Sequence, residues 1–189
     1  VNVKAEIGKR NGVRIHTPGE EVEKMAPENA ERALYSDILN LSIARKEYKQ
    51  LSEVLGKITK TYQVKDLLTN NLKDDAIKQE VLNRIEKIEP FIAETTPKGS
   101  IKDQLLDENA EDLARLLIEG VEMKRDTLTK FLNKDWYDLR PLHNFFFTRD
   151  ASMSMYNEVL IGRMANAVRD REAIIMQSIF DFTPGFNTK

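Results

Sequence analysis

Val13 and Ile15 alternate with Arg14 and His16 between two turn signals, Asn11-Gly12 and Pro18-Gly19. A period of two bounded by turns predicts a short strand. Ala44, Tyr48, Leu51 and Leu55 recur at spacings of four, three and four. That is one face of a helical period, so Asn40 to Leu55 is predicted to be a helix, with Gly56 at its end. Ile58 to Val64 (ITKTYQV) is alternating and β-branched and predicts a second strand. Strand, helix, strand is a βαβ-like order.

The pattern changes from Asp66 to Leu132, where helical spacing replaces alternation. Asp74-Asp75 can cap a helix with Ile77, Val81, Ile85 and Ile88 on one face. Pro90 and Pro97-Lys98-Gly99 interrupt the chain. Asn109 can cap a second helix, with Leu113, Leu116 and Leu117 inside and Gly120 at its end. Glu122 to Leu132 predicts a third. Several short helices with brief connections suggest a small bundle. After Arg140-Pro141 the strand character returns: the FFFT run and Met155 to Gly162 (MYNEVLIG) each predict a strand. Ala165 to Phe180 predicts a helix with Val168, Ile175 and Ile179 on one face, ended by Thr183-Pro184-Gly185. The order is α/β, helical, then α/β again.

Composition narrows the chemistry. Apolar residues make up 41% and charged ones 32%, enough for a core and a charged surface. With 29 basic against 31 acidic residues, no strong field calls for nucleic acid or an anionic membrane. No apolar run approaches the ~20 residues of a membrane span. No signal peptide is evident, so a cytoplasmic setting is the expectation. Cysteine is absent, which removes thiolate metal sites and thiol nucleophiles from these residues. The two histidines, His16 and His143, lie far apart in sequence, which argues against a histidine zinc site or a Ser-His-Asp triad.

The chemistry-bearing stretch is HNFFFTRD, His143 to Asp150, followed by VRDRE, Val168 to Glu172. Read alone, Arg149 and Asp150 fit a surface ion pair or a turn, which contributes only ~0–1 kcal/mol. They also fit a site at a strand end, where binding groups of α/β proteins collect. A carboxylate beside aromatic faces suits a planar cation, which takes cation–π attraction from the rings and parallel hydrogen bonds from the carboxylate. Spacing alone does not choose between these readings.

PLHNFFFTRD, Pro141 to Asp150, resembles the P-x-P-N-x-x-F-T-R-D strand end of the arginine deiminase family, guanidine-modifying enzymes of the pentein superfamily. Nineteen residues after Asp150 comes Arg169, in a segment similar to the family's A-R-x-x-E, with Glu172 as its acid. AEIGKRNGV, Ala5 to Val13, then Pro18-Gly19, then LYSD, Leu34 to Asp37, resemble the family's opening elements. The resemblance spans nearly the whole chain.

It implies an α/β fold of partial pentein (α/β propeller) modules with an inserted α-helical bundle. Residues 1–68 would form a first α/β module, 69–140 the inserted bundle and 141–189 a second α/β module of an incomplete propeller. It implies hydrolysis of L-arginine to L-citrulline and ammonia. A cysteine thiolate attacks the guanidinium carbon, ammonia leaves, and water hydrolyses the thiouronium intermediate. Neither cofactor nor metal takes part. Asp150 matches the aspartate that positions the guanidinium. Phe147 matches an aromatic packed on the substrate stem. Asn144 and Arg169 match groups around the α-carboxylate, and Leu34 matches a residue whose backbone carbonyl faces the substrate. Arg149 is expected in a structural ion pair.

The family's second carboxylate, its H-x-D histidine and its cysteine lie beyond the matched stretch. These residues are therefore expected to hold half a pocket, to need the remaining C-terminal part of the enzyme and to be inactive alone. Open module edges predict self-association into homo-oligomers. A non-catalytic pentein-like module that binds arginine or another guanidine is the alternative, and a ligand-free helical interaction module is a third. Departures fall at His143, where the family has proline, at Tyr35-Ser36 in place of F-D, and at Tyr156-Asn157-Glu158, where the family has glycines.

Overall fold

The computed structural model describes residues 3, 4, 8, 11–24, 38–90, 99–124, 128–132 and 136–186. Leu34, and the Tyr35 to Asp37 stretch beside it, lie outside the described residues. Helices and strands mix, as the α/β expectation requires. Among the described residues the strands form three two-stranded sheets, none closed.

The predicted βαβ order is present. Strand β1 (Gly12–Ile15) pairs in parallel with β2 (Lys60–Gln63), Ile15 opposite Gln63. Between them come helix α1 (Glu20–Glu23) and helix α2 (Leu41–Ile58). Parallel strands need a long crossover, and α2 supplies it. Asn40 caps α2 by accepting a hydrogen bond from the Ile43 N–H at 3.2 Å. The helix does not stop at Gly56 but runs to Ile58, so Ile58 belongs to α2 and not to the strand. One helical glycine costs only about 1 kcal/mol, which local context overrides. The expected apolar face of α2 is only partly covered: Tyr48 is half-buried and accepts the His16 N–H through its hydroxyl at 3.1 Å, and Leu51 is exposed.

The two central helices capped by Asp74 and Asn109 form as their pattern predicts, two more stand beside them, and Val64, expected in the strand, opens one of these. The four are α3 (Val64–Asn71), α4 (Asp75–Ile88), α5 (Ile101–Asp107) and α6 (Ala110–Glu119). Asp74 caps α4 through the Ala76 and Ile77 N–H groups at 2.9 and 3.2 Å. Asn109 caps α6 through Glu111 and Asp112, both at 3.0 Å. Ser100 and Asp103 close a reciprocal capping box at the start of α5. Gly120 ends α6 with φ +81, and a Cβ there would come within 2.5 Å of the Leu139 carbonyl. Only glycine fits such a position without strain.

Past Gly120 the predicted third helix divides. Val121–Glu122 is strand β3, paired antiparallel with β4 (Tyr137–Leu139), and among the described residues of that stretch α7 (Leu128–Leu132) is the helical part. FFFT is not a strand. Residues 143–150 form turns in which the Phe145, Phe147 and Asp150 N–H groups bond three residues back. The three phenylalanines also differ in exposure: Phe145 is buried, Phe146 half-buried and Phe147 exposed. MYNEVLIG is two strands, not one: β5 (Ser152–Met155) and β6 (Glu158–Ile161) form a hairpin around Tyr156-Asn157. Tyr156 adopts φ 51 there, the positive φ that two-residue hairpin loops require and that glycine supplies at less cost.

The last helix, α8 (Asp170–Phe182), begins after a 3₁₀ turn over Ala167–Arg169 that Asn166 caps. It starts five residues later than the periodicity suggests and ends at Thr183 as expected. A single apolar cluster joins α3, α4, α5 and α6 to α8 through Leu68, Leu82, Leu105, Leu117, Ile175 and Ile179. Among the described residues no helix is long and apolar enough to cross a membrane.

Candidate functional site

The loop between β4 and β5 lies against the end of α6, where the Leu142 N–H bonds the Ile118 carbonyl at 2.9 Å. Its turns connect three of the candidate residues to one another. The Phe147 N–H donates to the Asn144 carbonyl at 3.0 Å, and the Asp150 N–H donates to the Phe147 carbonyl at 3.1 Å. Asn144, Phe147 and Asp150 are thus linked in series through the main chain, Asn144 buried and Phe147 and Asp150 exposed.

Arg169, on the 3₁₀ turn before α8, brings the second motif to this loop. Its Nη1 donates to Asp150 Oδ2 at 2.7 Å. Its Nε and Nη2 donate to Glu172 Oε1 and Oε2 at 3.0 and 2.8 Å, a two-point clamp. Nη2 also reaches the Asn144 carbonyl at 3.5 Å. The carboxylates differ in setting: the Glu172 side chain is 1% exposed and the Asp150 side chain 46%. Burial pushes the Glu172 carboxyl above its ordinary range, against the pull of Arg169. Burial alone would lower the Arg169 pKa, but Glu172 and then Asp150 outweigh it and hold it above the ordinary value. Phe147 stands beside Phe146, ring centroids 4.3 Å apart, and is 47% exposed. The site thus offers an accessible carboxylate and an accessible aromatic face, both fixed from behind by buried groups.

Sequence reasoning placed Asn144, Phe147, Asp150 and Arg169 together, and the structure brings these four together. Arg149 is exposed in the same loop. Unforeseen is a buried polar cluster behind the loop. His16 Nε2 meets Glu21 Oε1 at 3.0 Å, and the Gly19 N–H donates to the same oxygen at 2.7 Å. Burial alone would raise the Glu21 carboxyl, but His16 and the Gly19 N–H hold it below its ordinary value. His143 Nδ1 donates to the Glu21 carbonyl, and the His16 ring packs on Phe145 at 4.8 Å. Burial pushes His143 below its ordinary value, opposed by Glu21. The flanking residues of Asn144 are thus pinned to the segment after β1. Two histidines distant in sequence carried no local signal of this. Among the described residues no three histidine, aspartate or glutamate side chains gather as a metal would require.

The arginine deiminase family model matches residues 31–189, which hold this loop and both motifs. The chain belongs to the arginine deiminase family. It is 31% identical to the arginine deiminase of Borrelia recurrentis over 97% of its own length and 47% of the relative's. It is 30% identical to that of Limosilactobacillus fermentum, over 98% of its length and 47% of the relative's. With the Bacillus cereus arginine deiminase it shares 29% identity over 98% of its length and 47% of the relative's. The chain spans about half the length of the curated relatives it matches.

Proposed function

We propose that these residues are the N-terminal part of an arginine deiminase and supply one side of its L-arginine pocket. The observation that carries the reading is the accessible Asp150 carboxylate, in one loop with Phe147 and Asn144 and held by a clamped arginine. Arg169 engages one Asp150 oxygen, Oδ2. The remaining acceptor positions suit a ligand guanidinium, which lies flat against the neighbouring ring. Arg169 has most of its donors committed, to Glu172, Asn144 and Asp150. Gripping a ligand α-carboxylate means loosening its hold on Asp150 while Glu172 keeps it in place.

In this reading residues 1–68 and 141–189 are modules of a pentein propeller and 69–140 an inserted helical bundle. A cysteine and a histidine outside these residues supply the thiouronium chemistry. Apolar side chains exposed on α2 (Leu51, Val54, Ile58) and on the hairpin (Met153, Met155, Leu160) support self-association or cover by the rest of the polypeptide. Light scattering at micromolar concentration tests this, and a clean monomer would oppose it.

The chain contains no cysteine, so incubation with L-arginine is expected to release neither ammonia nor citrulline. Joined to the missing half, it is expected to turn over, and Asp150→Asn is expected to remove that turnover. Losing one partner of a ligand-covered charge pair costs ~2–5 kcal/mol. That is roughly one and a half to four decades in rate at about 1.4 kcal/mol each. Normal turnover by Asp150→Asn would return the loop to a structural role. Arginine binding without turnover in the joined protein would favour a non-catalytic guanidine-binding module instead.

A further inference from the structure

Arg14 sits on β1 with its guanidinium enclosed rather than in solvent. Its Cζ stacks 4.1 Å from the centre of the Phe180 ring on α8. Nη2 donates to the Ser152 hydroxyl at 3.2 Å, and the Arg14 carbonyl accepts the Thr148 hydroxyl at 3.3 Å. Nη1 is sealed from solvent and has no acceptor among the described residues. Burial lowers the Arg14 pKa to about 10. A charged group held this way, with no carboxylate paired to it among the described residues, is costly for the fold. A leucine or methionine on the same strand would fill the space against Phe180 without that cost. Nη1 is also too enclosed to receive a ligand, so the side chain is not itself a binding site.

What the enclosed guanidinium does do is hold the loop. Thr148 and Ser152 stand two residues before and two residues after Asp150, and Arg14 bonds both. We propose that Arg14 is a positioning residue that fixes the Thr148–Ser152 segment on β1 and thereby sets where the Asp150 carboxylate stands. The two bonds are of different kinds. The contact to Thr148 uses backbone and survives any substitution at position 14, whereas the contact to Ser152 needs the side chain. Removing the side chain therefore unties the Ser152 end from β1, leaving it held only by its pairing with β6, while the Thr148 end stays tied to the Arg14 carbonyl. The link to function rests on the reading of Asp150 as the guanidinium-binding carboxylate, but the loop's tethering does not.

Amide hydrogen exchange followed by NMR on the whole chain tests the tether directly. In Arg14→Met the Asp150 N–H, bonded to the Phe147 carbonyl, is expected to exchange about tenfold faster, as for losing one hydrogen bond to a charged group. The Ile175 and Ile179 amides in α8 are expected to keep their protection, and the melting temperature is not expected to fall. Ser152→Ala, which removes only the acceptor, is expected to reproduce the loop change. Arg14→Lys, which keeps a donor, is expected to restore part of the protection. An NMR titration with L-arginine is expected to show a weaker affinity, again about tenfold, in Arg14→Met and Ser152→Ala. Unchanged Asp150 exchange in both variants overturns the proposal, as does equal acceleration of loop and α8 amides. If Arg14→Met does not fold, Ser152→Ala decides alone. If the unaltered chain binds no L-arginine, the ligand reading of Asp150 falls, while the exchange rates still decide the tether.

Discussion

The helical core and the loop beneath the candidate site are held by opposite means. In the core, Leu68, Leu82, Ile85, Leu113 and Leu117 are fully buried among one another, and helix ends are closed by Asp74, Ser100 and Asn109. Most of the hold there is apolar burial, non-directional and spread over many neighbours, with a few buried polar groups such as Asn71, Lys78 and Arg171 bonded at its margins. Behind the loop, His16, Glu21, His143, Asn144 and Glu172 are buried polar groups, each with one or two defined partners. Directional bonds fix position more sharply than they add stability, since each contributes only about 1 kcal/mol net. The stable half of the architecture is therefore the one with no evident chemistry. The part that orients Asp150 takes its position from buried polar contacts between distant segments.

Shortening a core side chain should separate the two regions most strongly. Leu82→Ala, at a fully buried position of α4, is expected to cost ~2–5 kcal/mol in urea unfolding. In molecules that remain folded, the Asp150–Arg169 contact should persist, because no residue of that loop depends on Leu82 for a hydrogen bond. A loss of less than about 1 kcal/mol would mean that the helical cluster is looser than its burial implies. Asp74→Ala should cost less, ~0.5–2 kcal/mol, by freeing the Ala76 and Ile77 N–H groups at the start of α4. Asp150→Asn should cost ~0–1 kcal/mol of stability, because its ion pair with Arg169 is half exposed to solvent. The same substitution is expected to have the large effect on turnover argued above. A melting curve for Asp150→Asn that falls as far as that of Leu82→Ala would erase the contrast between a stabilising core and an orienting loop.

The same contrast explains what could be read from the sequence. The central helices were legible because burial, period and capping agree within each segment. Asp74 precedes Ile77, Val81 and Ile85 at helical spacing, and Asn109 precedes Leu113 and Leu117. The loop was misread as a strand because three adjacent phenylalanines look like a buried run. The Phe145 and Phe147 N–H groups instead bond back along the chain, and Phe145 packs on His16, which lies far away in sequence. The hairpin turn was hidden because Tyr156 takes a positive φ that its side chain does not advertise. The candidate residues themselves were legible through the resemblance of FTRD and the later arginine. Their supports, Glu21, His143 and Arg14, were not, because a buried polar contact between distant segments leaves no local pattern.

His143 allows the smallest and most specific test of this division. Its side chain donates to the Glu21 carbonyl and lies one residue from Asn144. Burial holds its folded pKa below the ordinary 6.5, with Glu21 opposing. A histidine whose folded pKa is depressed contributes stability that is present above its unfolded pKa. That stability is lost as pH falls, because the unfolded chain then binds the proton more readily. Acidification from about pH 7.5 toward pH 5.5 is therefore expected to lower the melting temperature of the unaltered chain. Glu21, also depressed, acts in the same direction but further into acid, below its ordinary 4.5. Glu172, raised by burial, acts with the opposite sign: protonating it relieves a buried charge and offsets part of the loss. The His143 share is isolated by His143→Gln, which keeps a donor for the Glu21 carbonyl and cannot titrate. Above pH 7 the two proteins should melt alike. Toward pH 5.5 the unaltered chain should fall below the variant, by less than any substitution in the helical core would cost. Parallel melting curves across that range would mean that His143 takes up its proton without leaving its place, and that the loop carrying Asn144 is held by Phe145 packing on His16 instead.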